Sequence, residues 1–174
     1  MTMAFWTWMD SPIGDLRLVA ADGALRAVHL TERRGDPAAA AYGSERPDEP
    51  VLQQARRELD EYFAGHRRRF DVALGAVGTE FQRAVWAALT AIEFGAICSY
   101  ADIARALGRP TATRAVGGAN NKNPIAIIVP CHRVVGSDRT LTGYAGGLER
   151  KRWLLAHEAR LVGAVLDGYD PPRC

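Results

Sequence analysis

The chain has 174 residues, 48% of them hydrophobic and 24% charged, with a formal net charge of +2. That composition is ordinary for a globular protein and excludes wholesale disorder, and the length suits one ordinary domain or two small ones. No stretch approaches the roughly 20 apolar residues that span a bilayer. Residues 1–15 show no basic start followed by an apolar run, so no secretory signal is expected either.

The three cysteines, Cys98, Cys131 and Cys174, are odd in number and widely spaced. They form neither a disulfide framework nor a CxxC pair, which points to a reducing cytoplasmic setting and to no structural zinc. The charge is uneven. Residues 1–78 carry ten Lys/Arg against twelve Asp/Glu, residues 79–158 carry ten against six, and the last sixteen residues balance. The +4 segment could face a polyanion, although on charge alone an ordinary solvated surface is the favoured reading.

The first elements read as strands. Leu16, Leu18 and Ala20 alternate with Arg17 and Val19, Asp22-Gly23 supplies turn chemistry, and Leu25 to Leu30 makes a second run, so a β-hairpin is expected. Residues 31–49 read as an exposed loop. From Pro50, the positions Val51/Leu52, Ala55, Leu59 and Tyr62/Phe63 recur at helical spacing as far as Gly65. Arg67-Arg68-Arg69 reads as a solvated connector or a phosphate contact.

A second unit begins near Gly78. Thr79 with Gln82 is a capping box, and Phe81, Val85, Leu89 and Ile92 form its apolar stripe. A helix from Tyr100 to Leu107, a break at Gly108-Arg109-Pro110, and a helix over 112–120 capped by Thr111 give a helix-turn-helix outline. Ala115, Gly118 and Ala119 leave one face of the second helix almost without side chains. Either another element packs closely there, the reading that the pattern alone favours, or a nucleic-acid groove does, with Arg114 projecting.

The β-branched run at 125–129, bracketed by Pro124 and Pro130, predicts a buried extended segment that delivers Cys131-His132-Arg133. A histidine near a cysteine can take its proton and raise the thiolate fraction. Adjacent residues of an extended chain point to opposite faces, so the pair needs a local turn or a bridging water. Glu158, on a helix over 148–158, is either the third member of a relay or a surface carboxylate. Cys98 reads as inert filling and Cys174 as incidental.

Pro130-Cys131-His132-Arg133-Val134-Val135 resembles the active-site motif of the O6-alkylguanine-DNA alkyltransferases. Four further blocks are similar in order and spacing: Arg114 to Ala119, Asn123-Pro124, Gly143-Tyr144-Ala145-Gly146-Gly147, and Leu154-Leu155-Ala156-His157-Glu158. The N-terminal part matches through Asp10 to Leu16. The resemblance implies an α+β fold. An N-terminal ribonuclease-H-like α/β domain (1–75) precedes a C-terminal helix-turn-helix, winged-helix-like, DNA-binding and catalytic domain (76–160), followed by a tail (161–174).

The resemblance also implies direct-reversal repair, with the alkyl group of O6-alkylguanine moving irreversibly to Cys131 after the base is flipped out. In that scheme Glu158 orients His132, His132 takes the Cys131 proton through a water, and Tyr100 assists the leaving guanine. Asn123 holds the cysteine loop. The carbonyls of Cys131 and Val134 accept from the exocyclic amine, Tyr144 packs on the base, and the Ala145 N–H faces O6, with Gly146 in the same substrate-binding set. Arg114 fills the gap in the stack, and Ala115, Gly117, Gly118 and Ala119 let the helix backbone approach the minor groove.

No cofactor and no metal enter the scheme. The partner is double-stranded DNA carrying O6-alkylguanine, with no membrane, and the protein is expected to be a cytoplasmic monomer. Activity on O4-alkylthymine and cooperativity on DNA stay open. A lesion sensor without transfer and a Cys-His-Glu hydrolase are the competing readings.

Overall fold

The computed structural model describes residues 3–31 and 42–163. The chain forms two compact units, Met1–Val77 with Pro124–Ala126, and Gly78–Asn123 with Ile127–Cys174. Among the described residues no helix is long and apolar enough to cross a membrane.

In the first unit four strands, β1 (Ala4–Met9), β2 (Leu16–Ala21), β3 (Ala24–Leu30) and β4 (Ser44–Glu45), lie in the order β3-β2-β1-β4. The expected hairpin is β2–β3. Asp22 and Gly23 both take positive φ, 53° and 73°, the turn geometry that matches the twist of the two strands. β1 pairs antiparallel with β2 and parallel with β4, so part of the expected loop at 31–49 is instead an edge strand. That edge depends on Gly43, where a Cβ would stand 2.1 Å from the Ala4 carbonyl oxygen. Residues 32–41 lie outside the described residues.

Helix α1 (Pro50–Phe63) starts where proline suits a first helical turn, with the Glu49 carboxylate accepting from Leu52 N at 2.9 Å. Its inward row, Leu52, Ala55, Leu59 and Tyr62, is fully buried. In the arginine run that follows, Arg67 binds Glu61 at 2.6 Å and Asp71 at 2.9 Å, as a structural connector.

The second unit contains α2 (Glu80–Thr90), β5 (Cys98–Ser99), α3 (Tyr100–Ala106), α4 (Thr113–Asn121), β6 (Val134–Val135) and α5 (Leu148–Leu161). The Thr79/Gln82 capping box forms as expected, and Ser99 with Asp102 makes a second one that starts α3. β5 and β6 pair in parallel. Helices α3 and α4, joined across residues 107–112, are the helix-turn-helix.

Thr111 does not cap α4. The N-cap position is Ala112, with no side-chain cap, because the preceding turn is closed by Ala112 N donating to Arg109 O at 2.9 Å. The run at 125–129 is buried throughout but is not an extended strand. Ile125 makes one bridge to Val28, and Ile127 then takes φ +72°, a sterically strained choice for a β-branched residue. Helix α5 runs three residues beyond the expected end at Glu158. Cys174 and the rest of the tail beyond Gly163 lie outside the described residues.

Candidate active site and nucleic-acid interface

The residues after Pro130 make one 3-10 turn over Cys131–Arg133, which β6 continues. Consecutive side chains therefore do not alternate across a strand but splay around a tight turn, one of the two arrangements the sequence leaves open. Cys131 is 5% exposed and is the free cysteine among the described residues. Asn123 holds it from the side: its Nδ2 donates to Cys131 Sγ at 3.1 Å and to Val129 O at 2.8 Å. Burial pushes the thiol pKa up from its ordinary value, while the Asn123 bond and the Lys151 charge act in the other direction.

His132 is completely buried, and its Nε2 lies 2.7 Å from Glu158 Oε1. Glu158 is 1% exposed, so it is no surface carboxylate. It also accepts from Arg133 Nε at 2.9 Å, Arg133 Nη2 at 3.0 Å and Gly95 N at 3.1 Å. Burial opposes the Glu158 charge, but His132 and the bidentate Arg133 guanidinium outweigh it and hold the carboxyl well below the usual range. Burial lowers the His132 pKa, against the pull of Glu158, and keeps the ring neutral.

An anionic Glu158 places the imidazole proton on Nε2 and leaves Nδ1 as the basic nitrogen. Nδ1 is buried and has no partner among the described residues. It makes no direct bond to Cys131 Sγ, so proton transfer between them needs a bridging water of the kind the sequence reading invokes.

Arg133 is a site residue that sequence reasoning missed in this role. Its third contact, Nη1 to Ile92 O at 2.6 Å, ties the carboxylate system to the segment after α2. Lys151 is a second. It sits in the basic run Arg150-Lys151-Arg152, yet it is fully buried, with Nζ donating to Val134 O at 2.5 Å and Thr142 O at 2.9 Å. One lone pair of the Val134 carbonyl, expected to receive a base amine, is thus already engaged.

The opposite wall comes from α3 and residues 142–147. Tyr100 Oη donates to Thr142 O at 3.1 Å, and burial raises its pKa. The Tyr144 hydroxyl is buried without a partner among the described residues, and burial holds its proton well above the ordinary range. Ala145 is exposed. Gly146 O accepts from Arg150 Nη1 at 3.2 Å.

On α4, Arg114, Ala115 and Gly118 are exposed, and a Cβ added at Gly118 would meet nothing within 4 Å. No described element packs on that face, so the close-packing account of its small residues fails. Gly117 lies beside the Tyr100 ring, 3.8 Å from where its Cβ would stand. Ala119, expected on the open face, is turned inward at 4% exposure, and its carbonyl accepts from Trp86 Nε1 at 2.9 Å. At about 100° per residue, one step beyond Gly118 carries it off the open face. Among the described residues no cluster of three or more His, Cys, Asp or Glu could hold a metal.

The chain matches two domains of one family: residues 4–76 the 6-O-methylguanine DNA methyltransferase ribonuclease-like domain, and residues 80–160 its DNA-binding domain. It is 46% identical over 162 residues to the methylated-DNA–protein-cysteine methyltransferase of Mycolicibacterium paratuberculosis, covering 93% of this chain and 96% of that one. The crystal structure of the Mycobacterium tuberculosis O6-methylguanine methyltransferase superposes with TM-score 0.84 at 43% identity, covering 97% of this chain and 100% of that one. A structure of the M. tuberculosis protein in complex with DNA superposes with TM-score 0.81 at 44% identity, over 90% of this chain and 94% of that one. The chain belongs to the 6-O-methylguanine DNA methyltransferase family.

Proposed function

We propose that this chain is a single-turnover DNA-repair protein that moves the alkyl group of O6-alkylguanine in double-stranded DNA onto Cys131 Sγ. The observation that carries the reading is the buried Glu158–His132 contact, on the same turn as a cysteine held by Asn123. Ionised Glu158 keeps the proton on His132 Nε2, so Nδ1 accepts the thiol proton through a water. The thiolate attacks the alkyl carbon. An S–C bond forms as the O6–C bond breaks, and the electron pair leaves with guanine.

Tyr100 meets the charge developing on the leaving base with its hydroxyl proton. The Ala145 N–H faces O6, Tyr144 packs on the flipped base, and Gly146 lines the same wall. The Cys131 carbonyl and the remaining lone pair of Val134 accept from the exocyclic amine. The product is a thioether, which does not hydrolyse, so each molecule acts once. Arg114 fills the vacated stack while the faces of Ala115, Gly117 and Gly118 lie in the minor groove. Residues 76–160 then hold the chemistry and the DNA contact, and the protein works as a cytoplasmic monomer with no cofactor.

Intact mass after mixing with excess duplex carrying one O6-methylguanine tests this directly. A single methyl, mapped to Cys131 and absent in Cys131→Ala, is expected. An unchanged mass alongside tight lesion binding would replace the reading with a non-catalytic sensor. Repeated turnover of a small acyl ester with indifference to DNA would make it a hydrolase.

A further inference from the structure

Lysine is seldom fully buried unless an opposite charge pairs with it. Lys151 on α5 is fully buried, and its bonded partners among the described residues are two neutral carbonyls, Val134 O and Thr142 O. Each carbonyl belongs to a wall of the site. Val134 closes the cysteine turn, its own N–H donating to Cys131 O. Thr142 O also accepts from Tyr100 Oη at 3.1 Å. One ammonium therefore joins the turn that carries the nucleophile, the start of the 142–147 loop, and Tyr100.

Its position beneath the turn has an electrostatic consequence. The groups that face it are Cys131 and His132 from the turn, and Tyr100 from α3 across the shared carbonyl. His132 is neutral and Glu158 is already engaged by Arg133 and His132. The charge left to balance the ammonium is the one that Cys131 acquires when it ionises.

We infer that Lys151 is a positioning residue of the transfer site: its ammonium ties the Cys131–Val134 turn to the Thr142 backbone and supplies the positive charge that favours the Cys131 thiolate. Burial lowers the Lys151 pKa to about 8, with Cys131 acting in the opposite sense, so near neutral pH the charge is in place. Above that, a neutral amine still donates to both carbonyls while the charge is gone. The inference rests on the alkyl-transfer reading for its effect on rate, but its effect on the thiol stands apart from that reading.

The test is Lys151→Met, which keeps the length and removes donors and charge. Thiolate absorbance gives the Cys131 titration, and intact mass gives the rate of methylation by duplex and by free O6-methylguanine base. The Cys131 midpoint is expected to rise by about one unit, with a matching ~10-fold loss of rate at neutral pH on both substrates. A variant whose thiol titrates with the wild type overturns the inference, whatever its rate. If the variant does not fold, NMR titration of the Lys151 ammonium in the wild type takes its place. Its midpoint should fall once Cys131 is blocked by iodoacetamide, and an unmoved midpoint overturns the inference. A wild type that transfers no methyl group would defeat the repair reading alone, because the thiol titration still reads Lys151.

Discussion

Glu158 meets two basic side chains, the Arg133 guanidinium and the neutral His132 ring, and the difference between them decides its role. The Arg133 guanidinium holds both carboxylate oxygens, so it fixes the ionisation of Glu158, whereas His132 receives the orientation. Replacing the carboxylate in Glu158→Gln leaves a buried guanidinium without a counter-charge and removes the group that sets the imidazole tautomer. The expected loss is ~10²-fold in methyl-transfer rate, with destabilisation of about 3–5 kcal/mol, read by intact-mass kinetics and denaturant melts. Wild-type kinetics would leave the relay unsupported. Asn123→Ala removes the donors to Cys131 Sγ and Val129 O together. It should slow alkylation of Cys131 by iodoacetamide at pH 7 as well as methyl transfer, by ~10-fold each if it shifts the thiol about one unit. Cys131 and His132 were legible in the sequence because they are neighbours whose chemistry is local to each side chain. The pattern left Glu158 open between relay and surface, and only its burial against His132 separates the two. Arg133 and Lys151 were not legible, because an arginine or lysine reads as solvated until the carbonyls and the carboxylate that bury it are known.

At the level of elements, α4 shows how far a helical pattern reaches. The small residues were legible, and so was the exposed Arg114, but the pattern alone favoured packing over a groove. The open space at Gly118 separates them. Ala119 could not be assigned to its face from composition, since alanine is at home in either environment. The segment at 125–129 misled for a related reason: five apolar residues between prolines fit a strand, and only the turn at Ile127, inside a buried run, breaks it. A bulky side chain at Gly118 should act on DNA alone. Gly118→Val meets no protein atom at its Cβ and costs no helix propensity relative to glycine. The expected result is an unchanged melting temperature, at least ~10-fold weaker duplex binding by anisotropy, and methylation by free O6-methylguanine base at the wild-type rate. Equal losses on both substrates would take α4 out of the groove.

On the scale of the molecule, the hairpin and helices were legible from their periods, whereas the α+β class with its two domains came from the resemblance. β4 was not legible, since it is a two-residue edge that needs its neighbour. The second unit also buries ionisable groups that make its stability depend on pH, and the sign follows from their direction of shift. His132 and Glu158 both titrate below their unfolded values. For Glu158 the stabilisation is full above the unfolded carboxyl value, about 4.3. It is lost as pH falls toward the lower folded value, because the unfolded chain takes up the proton first. His132 adds a loss in the same direction beginning near its unfolded value of about 6.5: a ring buried neutral disfavours the protonation that an unfolded ring accepts. Lys151, with its folded value lowered to about 8, works at the other end. Between about 8 and the unfolded value near 10.4 the unfolded chain holds more of the lysine proton, so Lys151 contributes a rise of stability with pH there. The Cys131 thiol, pushed up by burial, contributes a fall over the same range. Thermal melts across pH 3–10 should therefore show a melting temperature that falls from about pH 6.5 downward. Glu158→Gln should flatten the part below about pH 5, and Lys151→Met should tilt the alkaline limb downward relative to wild type. An acid limb of the same slope in wild type and Glu158→Gln would mean that the carboxylate is not held ionised by its buried partners, and the tautomer assigned to His132 would fall with it.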